Sequence, residues 1–227
     1  GIGMELARRF SAEGHPVLML ARRREVMEEL SLPNSLCRSV DVTDLEAMQS
    51  AVREAEELYG KTDLLINCAG LMLLGYPAEQ DFDEWSRMID VNVKGVLTGT
   101  KAVLSDMIAR NEGTIINISS IAGRKTFDNH SVYCGTKYAV HAMTESMRRE
   151  VSGSNVRMIV IAPGVVETPL LSHTSNQEIK DNYNLWKQEI DGGPEPSQIA
   201  DCAWFAYQMP QEVCVREIVI AKTKQAD

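Results

Sequence analysis

Six short apolar runs punctuate the chain: Pro16–Ala21 (PVLMLA), Leu36–Val42 (LCRSVDV), Asp63–Ala69 (DLLINCA), Thr114–Ser120 (TIINISS), Val156–Ala162 (VRMIVIA) and Val215–Ala221 (VREIVIA). Their apolarity is continuous rather than alternating, which suits strands covered on both faces, as in a parallel sheet. Between them, polar and apolar positions recur at helical spacing. In TDLEAMQSAVREAEELYG, Thr43 or Asp44 is placed to cap a helix and Gly60 to end it. Strand and helix patterns alternate with no repeat, low-complexity tract or linker. The expected fold is therefore α/β, a Rossmann-like doubly wound parallel sheet in one domain over residues 1–227.

The first residues, GIGMELARRF, read as the second half of a phosphate-binding loop running into an amphipathic helix. Gly1, Ile2 and Gly3 would bring backbone close to a pyrophosphate at the positive end of that helix. Such a loop follows a strand that lies centrally in the sheet. The pattern thus predicts a further strand upstream of Gly1, outside this sequence, since a sheet without it leaves backbone groups unpaired in the core.

Composition narrows the picture. The net charge of −9 argues against a nucleic-acid or anionic-membrane surface. No apolar run approaches membrane-spanning length. Five scattered cysteines without a C-x-x-C pair, and four histidines without ligand spacing, argue against a disulfide framework or a metal site. A reducing, cytoplasmic setting is expected.

Three stretches carry candidate chemistry. Ala21 stands where an acidic residue would hold a free ribose hydroxyl, and Arg22, Arg23 and Arg24 follow. These arginines are either a solvated helix start or a clamp for a 2′-phosphate. In SVYCGTKYAV, Tyr133 and Lys137 share a helix face, an ordinary surface pair or a tuned acid. A nearby ammonium would lower the phenol pKa from about 10 and fit it for proton exchange with a carbonyl or alcohol oxygen. Thirteen positions earlier, Ser120 ends a predicted strand, on the side where open α/β sheets bind ligands. Asn67–Gly70 (NCAG) ends another.

Taken in order, GIG, DV, NCAG, VNVKG, NISS, YCGTK and PGVVETP resemble the single-domain short-chain dehydrogenase/reductase family over nearly the whole chain. The resemblance implies that Gly1, Ile2 and Gly3 belong to the cofactor's glycine loop and that Asp41 and Val42 flank the adenine. It places Asn67, Ala69 and Gly70 beside the cofactor, with Cys68 replacing the usual second asparagine. Pro163, Gly164, Val166 and Thr168 would contact the nicotinamide end. Ser120, Tyr133 and Lys137 match the catalytic serine, tyrosine and lysine, and Asn92 the asparagine that continues a proton path through water. In this company Arg22 and Arg23 point to NADP(H) rather than NAD(H).

Substrate is less sharply indicated. Leu71, Met72, Leu73, Phe127 and His130 are candidate pocket residues, and residues 170–193 correspond to the family's variable lid, with Leu185 and Trp186 as possible covers. The ending VREIVIAKTKQ resembles NADP-dependent serine and 3-hydroxy acid dehydrogenases, which implies a small hydroxy acid or related carbonyl compound. A broad carbonyl or diketone reductase is the alternative enzyme, and a non-catalytic NADP(H) sensor the alternative of another class. The family further implies a homo-oligomer, tetramer or dimer, whose partner is otherwise a small-molecule substrate.

Overall fold

The computed structural model describes residues 1–226. Six strands alternate with eight helices: α1 Ile2–Ala12, β1 Val17–Ala21, α2 Arg24–Glu28, β2 Ser35–Ser39, α3 Leu45–Tyr59 and β3 Leu64–Asn67 come first. Then follow α4 Phe82–Ile89, α5 Gly95–Arg110, β4 Gly113–Ile118, α6 Ser131–Glu150, β5 Val156–Pro163, α7 Gln177–Glu189, α8 Pro196–Gln208 and β6 Glu217–Ile220. All pairings are parallel. β1 pairs with β2, and β3-β4-β5-β6 form a four-stranded sheet.

Successive residues of the central strands feed opposite faces, as the pleat requires. Ile116, Ile118, Ile159 and Ile161 pack under α1 and α8 with Leu6, Phe10 and Ile199. Ile115 and Met158 face the other way, against Val52 of α3 and Val103 and Met107 of α5. Both faces of β4 and β5 are therefore dry, which explains their continuous apolar runs. The expected α3 boundaries hold: Asp44 accepts from the Ala47 N–H, and Gly60 ends the helix at φ +94°. The second apolar run is shorter as a strand than its sequence, because the chain turns at Asp41, whose carboxylate accepts from both the Thr43 N–H and hydroxyl.

β1 and β3 are not paired with each other. Both border a cleft of about 540 Å³, lined by apolar side chains that include Phe10, Leu18, Leu65 and Val103.

A second cavity, of about 730 Å³, opens at the carboxyl ends of the four-stranded sheet. Its walls come from the strand ends, from α6, and from α7 lying across the top.

Candidate active site

β4 ends at Ile118, and the extended backbone of Ser120 carries its side chain into the second cavity. There the Ser120 oxygen accepts from the Ala122 N–H at 3.1 Å, and the hydroxyl beside the Tyr133 phenol favours the tyrosinate. Tyr133 lies in the first turn of α6, and one turn later Lys137 places its Nζ 5.7 Å from the Tyr133 ring centroid. That Nζ donates to the Ile118 carbonyl at 3.1 Å. Serine, tyrosine and lysine, predicted from separate stretches, thus meet in one buried corner.

The expected lowering of the Tyr133 pKa is not found. Burial dominates and pushes the phenol up to about 12, with Ser120 as the opposing influence. The ammonium of Lys137 is bonded to the Ile118 carbonyl, and burial brings Lys137 itself down to about 8. A group held this way keeps its proton at neutral pH. Burial thus favours the protonated phenol, the form that carbonyl reduction would consume.

Behind the corner, α4 runs into α5 through a π-helical turn, Asp90–Lys94. The wide turn presents Asn92 inward, fully buried. Its Oδ1 accepts from the Leu71 N–H, and its Nδ2 donates to the Leu71 carbonyl and to the Thr136 hydroxyl. Thr136 in turn donates to the Tyr133 carbonyl at 2.7 Å. Both amide hydrogens of Asn92 are thereby used, leaving spare acceptor capacity at Oδ1, which flanks Gly70 together with Lys137 Nζ.

The other predicted residues divide by location. Gly1, Ile2, Gly3, Gly70, Pro163, Gly164, Val166 and Thr168 line the same cavity, as do Leu71, Met72, Phe127, His130 and Trp186. Val42, Asn67 and Ala69 line the β1–β3 cleft instead. The Asn67 amide is turned into the sheet, where Nδ2 donates to Asn117 Oδ1 at 2.8 Å. Cys68 borders both cavities, and burial pushes its thiol up to about 11. Leu73 is buried away from the cavity. Leu185 is corrected more strongly: it is 60% exposed on the outer face of α7, whereas Trp186 faces the site.

Sequence reasoning missed Tyr183, Ile179 and Gln225, which also line the cavity. Tyr183 and Ile179 had a signal, since they recur at helical spacing with Trp186. Phe127, His130, Tyr183 and Trp186 form a connected wall, with centroids 5.6 Å (Phe127–His130), 6.3 Å (His130–Tyr183) and 5.5 Å (Tyr183–Trp186) apart. His130 abuts Tyr133 at 6.2 Å. Its Nδ1 lies 2.6 Å from the Asp128 carbonyl and so carries the proton, and burial holds the ring below its usual pKa.

The residues present fit a dinucleotide bearing a 2′-phosphate. The first turn of α1 opens on the cavity at Ile2 and Gly3, whose amides the helix leaves unpaired. Arg22 and Arg23 are exposed beyond β1, and neither forms an ion pair among the described residues. Asp41, nearby, has its carboxylate occupied by Thr43, which holds its pKa below the usual carboxylate value.

A family model for short chain dehydrogenases matches residues 1–179. An uncharacterized oxidoreductase of Staphylococcus saprophyticus is 37% identical over 233 residues, covering 100% of this chain and 93% of the relative. Among solved structures, serine dehydrogenase from Escherichia coli is similar with a TM-score of 0.85 at 29% identity, over 100% of this chain and 95% of that one. A closed form of serine dehydrogenase complexed with NADP+ gives 0.89 at 30% identity, over 100% and 93%. The chain therefore belongs to the short-chain dehydrogenase family and is an oxidoreductase.

Proposed function

We propose that the protein interconverts an alcohol and a carbonyl compound, acting on a small hydroxy acid or a related carbonyl compound. The observation that carries the chemistry is Tyr133 facing the cavity beside Ser120, with Lys137 one turn along the same helix. In reduction, Tyr133 gives its proton to the carbonyl oxygen while Ser120 donates a hydrogen bond to the same oxygen. In oxidation Tyr133 takes the proton back. Lys137, with Asn92 beside it, offers a route for reprotonation. NADP(H) supplies or accepts the hydride at the nicotinamide, which Pro163, Gly164, Val166 and Thr168 would hold; Gly1–Gly3 and Arg22–Arg23 would hold its phosphates. The apolar walls and α7 exclude water from the reacting carbon.

The hydroxy acid reading is supported by the likeness to serine dehydrogenases. A second reading, reduction of uncharged ketones and diketones, is favoured by the aromatic wall. Arginine is absent from the described cavity lining, and both of its lysines are engaged, Lys137 with Ile118 and Lys187 with Glu167 at 2.6 Å. A substrate carboxylate would therefore have to displace an existing partner. Steady-state assays separate the two: serine and 3-hydroxy acids with NADP+ on one side, diketones and aromatic aldehydes with NADPH on the other. Turnover of neither class would return the non-catalytic sensor to favour.

Assembly as a homo-oligomer, tetramer or dimer, is supported by exposed Leu97 and Ile108 on α5 and Tyr138 on α6. A cytoplasmic setting is supported by five unpaired cysteines. No helix among the described residues is long and apolar enough to cross a membrane. Light scattering of the purified protein tests the assembly.

A further inference from the structure

The segment after β6 returns to the active site. Gln225 in that segment, 8% exposed, packs against the loop that follows β5 and lines the same cavity as Ser120 and Tyr133. Its Oε1 accepts from the Val165 N–H at 3.1 Å. Because Val165 can only donate there, the amide has one orientation, and its Nε2 is left buried without a partner. The fit is close: a Cβ on Gly164 would overlap the Gln225 Oε1. The glycine of the P-G-V-V-E-T-P stretch is thus the seat of a side chain supplied from sixty residues away.

From its other side, the same loop is bound to the lid. Glu167 accepts from Lys187 of α7 at 2.6 Å and from the Gly193 N–H at 2.8 Å, while Lys224, next to Gln225, pairs with Asp191 just beyond α7. The loop is therefore gripped between the tail and the lid.

We propose that Gln225 is a positioning residue for hydride transfer: by holding the Val165 N–H it fixes the loop from Pro163 to Thr168, and with it the plane in which the nicotinamide is presented. This rests on the reading of the Tyr133 cavity as the hydride-transfer site. The phosphates would be held elsewhere, by Arg22, Arg23 and the first turn of α1. Loss of the Gln225 contact therefore acts on the chemical step more than on affinity. Misplacement of reacting groups by an ångström costs about 100-fold in rate, so a loosened loop is expected to lower kcat by about 10- to 100-fold.

The test compares Gln225→Met, which fills the seat without a good acceptor, with Gln225→Glu, which keeps an acceptor oxygen at the same reach. Gln225→Asn, one methylene shorter, replaces the methionine variant if that one does not fold. Three quantities are read on the full chain: hydrogen exchange at the Val165 amide without cofactor, the NADPH dissociation constant, and kcat and KM. The expected result is that Gln225→Met speeds Val165 exchange by about tenfold or more and lowers kcat by the factor above. KM and the NADPH constant should stay within about threefold, and Gln225→Glu should restore kcat. Unchanged exchange or kcat in Gln225→Met, with an active parent, overturns the positioning proposal alone. Loss of kcat in Gln225→Glu as deep as in Gln225→Met also overturns it. A parent that turns over no alcohol or carbonyl overturns the hydride-transfer reading itself, and the proposal with it.

Discussion

Asn92 grips Leu71 by both backbone groups, with Oδ1 receiving its N–H and Nδ2 reaching its carbonyl, each at 2.8 Å. Leu71 is a wall of the substrate cavity, and Asn92 also bonds Thr136, three positions beyond Tyr133. One amide thus ties the pocket wall to the catalytic helix. Asn92→Ala leaves two buried backbone groups unpaired and should destabilise the fold by about 3 kcal/mol. A lowered urea midpoint, together with a reduced kcat, checks this; an unchanged midpoint would dissolve the link.

Tyr133→Phe removes the proton donor and keeps the ring. Turnover should fall by about 10²- to 10⁴-fold, the usual worth of a positioned acid. NADPH binding, followed by nicotinamide fluorescence, should be largely preserved. Persistence of turnover would mean that another group delivers the proton.

Arg22 and Arg23 are the expected reason for NADP(H) preference. Charge-assisted hydrogen bonds are worth about 1.5–3 kcal/mol each, so the double change to alanine should weaken NADPH by about 10²-fold or more. NADH, which lacks the 2′-phosphate, should bind nearly as before. Equal weakening of both cofactors would show that these arginines act on something other than that phosphate.

Lys137 makes stability depend on pH. Its pKa falls from 10.5 to about 8 on folding, so between those values the unfolded chain holds more protons. Stability then rises with pH, by at most about 1.4 kcal/mol per unit. Groups that burial raises oppose it as pH climbs toward their unfolded values: Cys37, Cys68, Cys134, Cys202 and Cys214 from 9.0, and Tyr133, Tyr183 and Tyr207 from 10.0. The rise due to Lys137 is therefore read as a difference between two proteins, from pH 8 to 9. Lys137→Met should flatten it, and urea titrations of both proteins across that interval give the difference.

Arg157 is buried at the amino-terminal end of β5, away from the chemistry. Its guanidinium donates to the Thr114 hydroxyl and to the carbonyls of Ala206, Tyr207 and Met209 at the end of α8. Arg157→Met strands those carbonyls and should cost about 3 kcal/mol of stability. The values of kcat and KM measured on the folded fraction should not change.

Much of this was legible in the amino-acid sequence because the signals were local. The strands are continuous apolar runs, the α3 caps are single residues, and spacing puts Tyr133 and Lys137 on one helix face, where the family resemblance gives them a role. Ser120 needed only its place at a strand end. What escaped depends on distant pairs. Gln225 acquires its role only when β6 brings it back to Gly164. The inward turn of the Asn67 amide follows from Asn117, fifty positions later. The sign of the Tyr133 shift follows from burial, which no spacing rule reports, and it reverses the effect expected from Lys137.

The π-helical turn at Asp90–Lys94 sets a phase. There the Gly95 N–H reaches back to the Asp90 carbonyl, one residue further than in an ordinary helix. Each residue of an α-helix advances the face by about 100°. The detour therefore lets two demands coexist on what is nearly one rod: Met88 and Asn92 turned toward the pocket, then Val96, Gly99, Val103 and Met107 turned toward the sheet. Removing a single residue from the turn would bring the rod into uniform step and swing one of these sets out of alignment. The molecule keeps its irregular turn because its catalytic side and its core side run on different clocks.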